Sequence, residues 1–357
     1  MGTKRLGKYS KKYSEYISAF GVVIIFYIIV QIMAAAHVLT SSFAGQLIPV
    51  CAYAIMAVSL NLTVGILGEL SLGHAGFMSV GAFSGVLVYT NFSAFMPAWA
   101  AMLCAIVTGA VTAGVFGILV GVPVLRLSGD YLAIVTLAFG EIIKNLLNAM
   151  YLGVDSAGVH ISFKDAASMK LAPNGKTLIN GALGITGIHK ASTFTLGIVL
   201  LLITLIVILN LIHSRSGRAI MAIRDNEIAA QSIGIDLTKY KLMAFVTSAV
   251  FAGVAGVLYA LNYSTLVATK FNYNTSIQVL VFVVLGGMGN ITGSVIAAAV
   301  LTVLPEILRV MKDYRMLIYS IVLIIMMIFN QGPQMIAWRK RFISKIRENH
   351  STGKEEH

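Results

Sequence analysis

Between Ile17 and Leu125 the chain carries one formal charge, Glu69. No water-facing surface can be covered that way. Soluble domains are about one quarter charged residues, whereas only 11% of these 357 residues are charged and 58% are hydrophobic. That balance excludes a soluble enzyme, a nucleic-acid-binding domain and a disordered chain. It leaves a membrane protein, because a hydrocarbon core about 30 Å thick takes about 20 apolar residues per helix. Apolar runs at 17–36, 45–64, 72–90, 97–121, 131–150, 192–212, 241–262, 275–287, 291–308 and 316–331 predict an all-α polytopic membrane protein of about ten transmembrane helices.

The net charge of +12 is distributed in three basic clusters, at Lys4–Lys12, Arg215–Lys241 and Arg339–Lys354. The positive-inside rule predicts all three to be cytoplasmic. An even number of spans agrees, since it returns both termini to one side. The predicted organisation is a basic N-terminus at 1–16, a membrane domain at 17–331 and a basic tail at 332–357. Within the membrane domain, the polar stretch 151–191 reads as an external loop and 213–240 as a cytoplasmic segment. The first run exceeds a secretory h-region of about 7–15 residues, so it is expected to stay as a span. The weakest corner is 275–315: the run 275–287 is short, and Arg309, Lys312 and Arg315 fall on the external side. Cys51 and Cys104 lie in apolar runs and predict neither a disulfide nor a metal site.

Five spans per half would give the two halves opposite topology. The third span of the first half carries Gly68–Phe83 (GELSLGHAGFMSVGAF), and that of the second runs into Gly286–Ser294 (GGMGNITGS). Gly-interrupted segments in inverted halves predict broken third helices beside a transport pathway. The competing reading is glycine serving only close helix contact. Candidate pathway or gate residues are Glu69, Ser71, His74, Gly76, Gly286, Gly287, Gly289 and Asn290. Glu69 at an interface would be hydrated and structural; at membrane depth it would be costly and functional.

In Ser128–Leu147, Ser128 or Asp130 is a candidate helix N-cap. Glu141 and Lys144 share a helix face, which predicts an intramembrane ion pair; a substrate contact is the other reading. The segment Ser216–Phe245 predicts a helix from about Arg218 to Ile233 that stops at Gly234. Its mixed charge and small residues suggest a docking surface for another protein, through Arg218, Arg224, Asp225, Glu227, Ala229, Ala230 and Gly234. A basic helix lying on anionic head groups is the alternative.

Four stretches in order, LSLGHAGFMSVGAF, SGDYLAIVTLAFGEI, SGRAIMAIRDNEIAAQSIGIDLTKYKLMAFVTSAVFAGVAGVLYA and VLGGMGNITGSVIAAA, resemble the branched-chain amino-acid ABC transporter permease family, LivM-type. The resemblance spans about residues 17–335. Glu227, Ala229, Ala230 and Gly234 match that family's E-A-A…G loop, with Ile228 interrupting the triplet, and so imply a coupling helix for an ATP-binding subunit. The family's T-G-G-x-D-G stretch is replaced by Gly153, Asp155 and Gly158 in another context, and its tryptophan ahead of the GG-G-G segment by Tyr273–Ser276. The resemblance therefore leaves the solute open between branched-chain or related amino acids and urea or other small amides.

What the resemblance implies is a bacterial inner-membrane permease with both termini cytoplasmic. Its implied partners are a homologous second permease subunit, two ATP-binding subunits and an extracytoplasmic solute-binding protein, with no nucleic acid. The chain has no GxxxxGK[ST] loop, so ATP and Mg are expected on the partner subunits, with no cofactor, metal or catalytic residue here. The competing class is a stand-alone channel or ion-coupled secondary transporter built on Glu69, Asp130 or Glu141. An intramembrane enzyme is disfavoured by the lack of HExxH or GxSxG.

Overall fold

The computed structural model describes residues 2–36, 41–93, 95–127, 129–155, 158–169, 171, 175–308 and 314–331. Ser128, Arg309, Lys312 and the basic tail 332–357 lie outside the described residues. The chain divides into two units at Thr302–Val303. The second unit contains α12 (Arg315–Gln331), an apolar helix.

The first unit opens with α1 (Gly2–Ala35), one continuous helix through the basic stretch and the first apolar run. Next, α2 (Ser41–Asn61) runs into a π-helical turn at Leu62–Leu67. After the link 68–73 come α3 (His74–Phe92), α4 (Ala98–Val124) and α5 (Asp130–Ala149). Gly129, with φ +62, precedes α5, so Asp130 sits inside the first turn and is not the cap. The later helices are α6 (Phe194–His213), α7 (Arg215–Asp225), α8 (Glu227–Ser232), α9 (Leu237–Ala260), α10 (Tyr273–Gly286) and α11 (Ile291–Ile307).

Among the described residues, seven helices are long and apolar enough to cross a membrane: α1, α2 with its π turn, α3, α4, α5, α6 and α9. The helices α10 and α11 are apolar but shorter. The predicted ten runs thus correspond to seven full-length helices and three shorter ones.

At the centre α9 packs on α2, α3 and α4. Its middle is built of small residues, Ala249, Ala252, Gly253, Ala255 and Gly256, all buried. The Gly253 backbone lies against those of Gly81 and Gly109, so the helices approach to van der Waals contact of main chains. The stretch between α5 and α6 holds an antiparallel sheet in the order β2-β1-β3, formed by Tyr151–Asp155 (β1), Gly158–Ser162 (β2) and Lys176–Asn180 (β3). Tyr151 pairs with Ser162 on one side and Asn180 on the other. A second, two-stranded ladder joins Ile185–Thr186 (β4) to Thr265–Leu266 (β5) and so ties this region to the chain after α9.

Two sequence expectations need correction. The third helices are not broken: α3 and α10 are each continuous, and the interruptions fall at 68–73, before α3, and at 287–290, after α10. Glycine ended helices here without splitting them, and the two interruptions are not at equivalent positions of the two halves. The helix expected over 218–233 is two helices, because the Asn226 side chain accepts from the Ala229 backbone N–H and caps α8 afresh.

Candidate functional site

The end of α2 and its π turn, which lead into the first interruption, meet the second interruption from far away in sequence. Asn61, the last residue of α2, is fully buried. Its Oδ1 accepts from the Gly289 backbone N–H at 2.8 Å, and its Nδ2 donates to Ser294 Oγ at 2.8 Å. Gly65 lies directly beneath this contact: a Cβ there would collide with Asn61 Oδ1 and Gly289 N. The π turn then ends at Gly68, whose φ of +86 is a left-handed conformation that glycine adopts without strain. One polar side chain thus locks the end of α2 to the turn between α10 and α11.

The link 68–73 is held by charge. Lys241, one turn into α9, donates from Nζ to Glu69 Oε1 at 2.6 Å and to Glu227 Oε1 at 2.7 Å. The Lys241 side chain is 5% exposed and that of Glu69 10%, whereas Glu227 is 45% exposed. A lone ammonium in such surroundings would be prohibitively desolvated; two carboxylates make it tolerable. Beside this triad Arg224 Nη1 donates to the Gly65 carbonyl oxygen at 3.0 Å, and its guanidinium also meets Asp225. The Arg224 stem packs over Gly68.

The link ends at the first turn of α3, where the neutral polar groups converge. Leu72 N–H donates to Thr136 Oγ1 of α5 at 3.1 Å, and Ala75 N–H to Ser276 Oγ of α10 at 3.0 Å. His74 Nε2 lies 2.9 Å from Ser59 Oγ, and the Ser59 carbonyl accepts from Ser248 Oγ of α9. Ser71 Oγ is buried without a partner among the described residues. Gly76 faces Gly140 across the α3–α5 contact. On α5 Glu141 pairs with Lys144 and also accepts from the Tyr273 backbone N–H at 2.9 Å, so this carboxylate fastens the start of α10.

Of the sequence candidates, Glu69 and Glu227 are brought together on Lys241, and Arg224 packs over Gly68 next to Glu69. Gly289 joins the site through Asn61; Gly286 packs against Gly293 and Ser294, Gly287 turns the chain with φ +95, and Asn290 Oδ1 accepts from Gly293 N–H. His74 stands further along the link, and Arg218 is exposed, donating to the His213 carbonyl. Within the docking candidates the side chains divide: Arg224 and Glu227 bond inward and Ala230 is buried at 2% exposure, whereas Arg218, Asp225 and Ala229 are exposed. Ile228 and Ile233, which are not among the candidates, stand 79% and 76% exposed. Sequence reasoning missed Lys241, Asn61, Ser294 and Gly65. Lys241 read only as the start of a span, and a single Asn or Ser within an apolar run gives no local signal of a partner more than two hundred residues away. Among the described residues no group of three or more His, Cys, Asp or Glu is placed to hold a metal ion.

A bundle in which seven of the described helices are long and apolar enough to cross a membrane is consistent with a polytopic membrane protein. The chain belongs to the branched-chain amino acid transport system / permease component family, whose model matches residues 42–329. It is 35% identical to the high-affinity branched-chain amino acid transport system permease protein LivM of Salmonella typhimurium, over 85% of this chain and 72% of that protein. The LivM of Escherichia coli K12 is 34% identical over the same shares. The high-affinity branched-chain amino acid transport system permease protein LivH of Escherichia coli K12 is 25% identical over 70% of this chain and 79% of LivH. No solved structure gives a significant match.

Proposed function

We propose that this chain is a permease subunit of a binding-protein-dependent ABC importer for branched-chain or related amino acids, seated in a bacterial inner membrane with both termini cytoplasmic. ATP and Mg act on two separate ATP-binding subunits; a homologous permease subunit completes the membrane part, and an extracytoplasmic solute-binding protein delivers the solute. The observation that carries the reading is how α7–α8 is held: Arg224 donates to the Gly65 carbonyl of the π turn, and Glu227 meets Lys241, which also holds Glu69 of the link to α3. Beside these anchors the apolar side chains of Ile228 and Ile233 stand exposed. A segment that exposes apolar side chains and is anchored to a helix interruption suits an element that receives motion from a partner and passes it into the bundle. The names of the LivM and LivH relatives support the choice of solute class.

The test is uptake in proteoliposomes holding the complete assembly. Import of a branched-chain amino acid that needs ATP inside, and stops when either the binding protein or the ATP-binding subunits are left out, is the expected result. Uptake that survives without ATP but collapses with an ion gradient overturns the reading in favour of a secondary transporter. Measuring the ligand of the cognate binding protein separates amino acids from urea and other small amides.

A further inference from the structure

We propose that Lys241 is the positioning residue that transmits displacement of α7–α8 to the α2–α3 link, an ionic latch resting on the coupling role assigned above. Its location is chemically expensive for any lesser purpose. A cation near the start of α9 stands at the end of the helix where the dipole disfavours positive charge, and its side chain is withdrawn from water. The two carboxylates that offset this come from different elements. Glu69 belongs to the link 68–73, and Glu227 is the first residue of α8. One ammonium therefore joins three parts of the molecule, and a shift of α8 away from α9 removes one of the two carboxylates that hold it beside Glu69.

The link is short and ends where several helices meet. Five residues after Glu69, His74 begins α3 against Ser59 of α2, and Leu72 and Ala75 bond to α5 and α10. A pull on Glu69 is thus applied where the first turn of α3 is fixed to its neighbours. The neighbouring bond from Arg224 to the Gly65 carbonyl holds the π turn just before the link from the α7 end. Without Lys241 the connection does not re-form, because the Glu69 and Glu227 carboxylates would then repel each other. The residue matching the E-A-A-like loop, Glu227, is on this account an internal connector, and contact with a partner falls to Ile228 and Ile233.

The experiment compares solute imported per ATP hydrolysed in proteoliposomes of the complete assembly. Lys241→Met is expected to assemble and hydrolyse ATP yet import about tenfold less per ATP, a typical size for coupling between sites. Lys241→Arg, which keeps the charge, should recover most of the ratio. Glu227→Gln, altering a half-exposed group, should lower the ratio in the same direction and carries the test if Lys241→Met fails to assemble. An unchanged ratio in Lys241→Met, or in Glu227→Gln where Lys241→Met does not assemble, overturns the latch. So does a parallel fall of import and hydrolysis in both, which is what a purely structural role gives. A wild-type assembly whose import ignores ATP would instead overturn the importer reading.

Discussion

The two interruptions in this bundle are built differently. The link before α3 is tied by ions: Glu69 to Lys241, with Arg224 on the Gly65 carbonyl beside it. The turn after α10 is tied by neutral groups, chiefly Asn61 to Gly289 and Ser294. Ion pairs with a half-exposed member such as Glu227 can be weakened from outside, by a partner that competes for that carboxylate. Buried neutral hydrogen bonds in an apolar interior are costly to leave unmade and have no such competitor. On the proposed coupling role, the first interruption is the one placed to respond to α7–α8, and the second is the point against which it works.

Breaking each connection separately sharpens this contrast. The largest effect is expected from Glu69→Ala, which leaves the buried ammonium of Lys241 with only a half-exposed partner. Loss of one member of a buried pair typically costs about 3–5 kcal/mol, read here as a lower unfolding temperature in detergent together with faster hydrogen exchange across α7–α8. Asn61→Ala strands the Gly289 N–H and leaves Ser294 Oγ only its bond to the Asn290 carbonyl, and should cost about 2–3 kcal/mol, with exchange quickened at 287–294 and α7–α8 unaffected. Equal effects of both variants on α7–α8 would erase the distinction. Gly65→Ala pushes a Cβ into Asn61 and the Gly289 backbone and should cost about 1–3 kcal/mol, as overpacking does. The smallest effect belongs to Gly234→Ala: its φ of +85 is strained for alanine, but the space around it is open. About 1–2 kcal/mol of local strain is expected, seen as fraying of the α8–α9 turn with the bundle's unfolding temperature hardly moved.

How much of this could be read from the sequence follows from the range of each interaction. Hydropathy reports on each helix by itself, so the apolar runs matched the helices to within a few residues, except that α1 begins at Gly2, well before its run at 17. Capping is local too, and the Asn226–Glu227 pair did carry a signal for a fresh helix start that the longer helical composition masked. Glu69, His74 and the two Gly-rich stretches stood out because charge, imidazole and clustered glycine are rare in apolar surroundings. What could not be read was the pairing. Lys241 lies 172 residues from Glu69 and Asn61 lies 228 from Gly289. Nothing in the neighbourhood of any one of them names its partner. The glycines read as breaks within the third helices, whereas they lie where helices begin or end, at inequivalent places in the two halves.

The most direct test of the central claim, that the docking segment is wired to the α2–α3 link, is thiol accessibility on that link. In a background of Cys51→Ala and Cys104→Ala, Leu70→Cys would be labelled with a maleimide in the complete assembly with and without ATP. Leu70 is partly exposed at 36%, so the reagent can reach it. The account predicts that ATP changes the labelling rate by about fivefold or more, the lower range of allosteric coupling, and that Lys241→Met abolishes the change. A labelling rate that ATP leaves unaltered in an assembly that imports solute, or an ATP effect that persists in full in Lys241→Met, would contradict it.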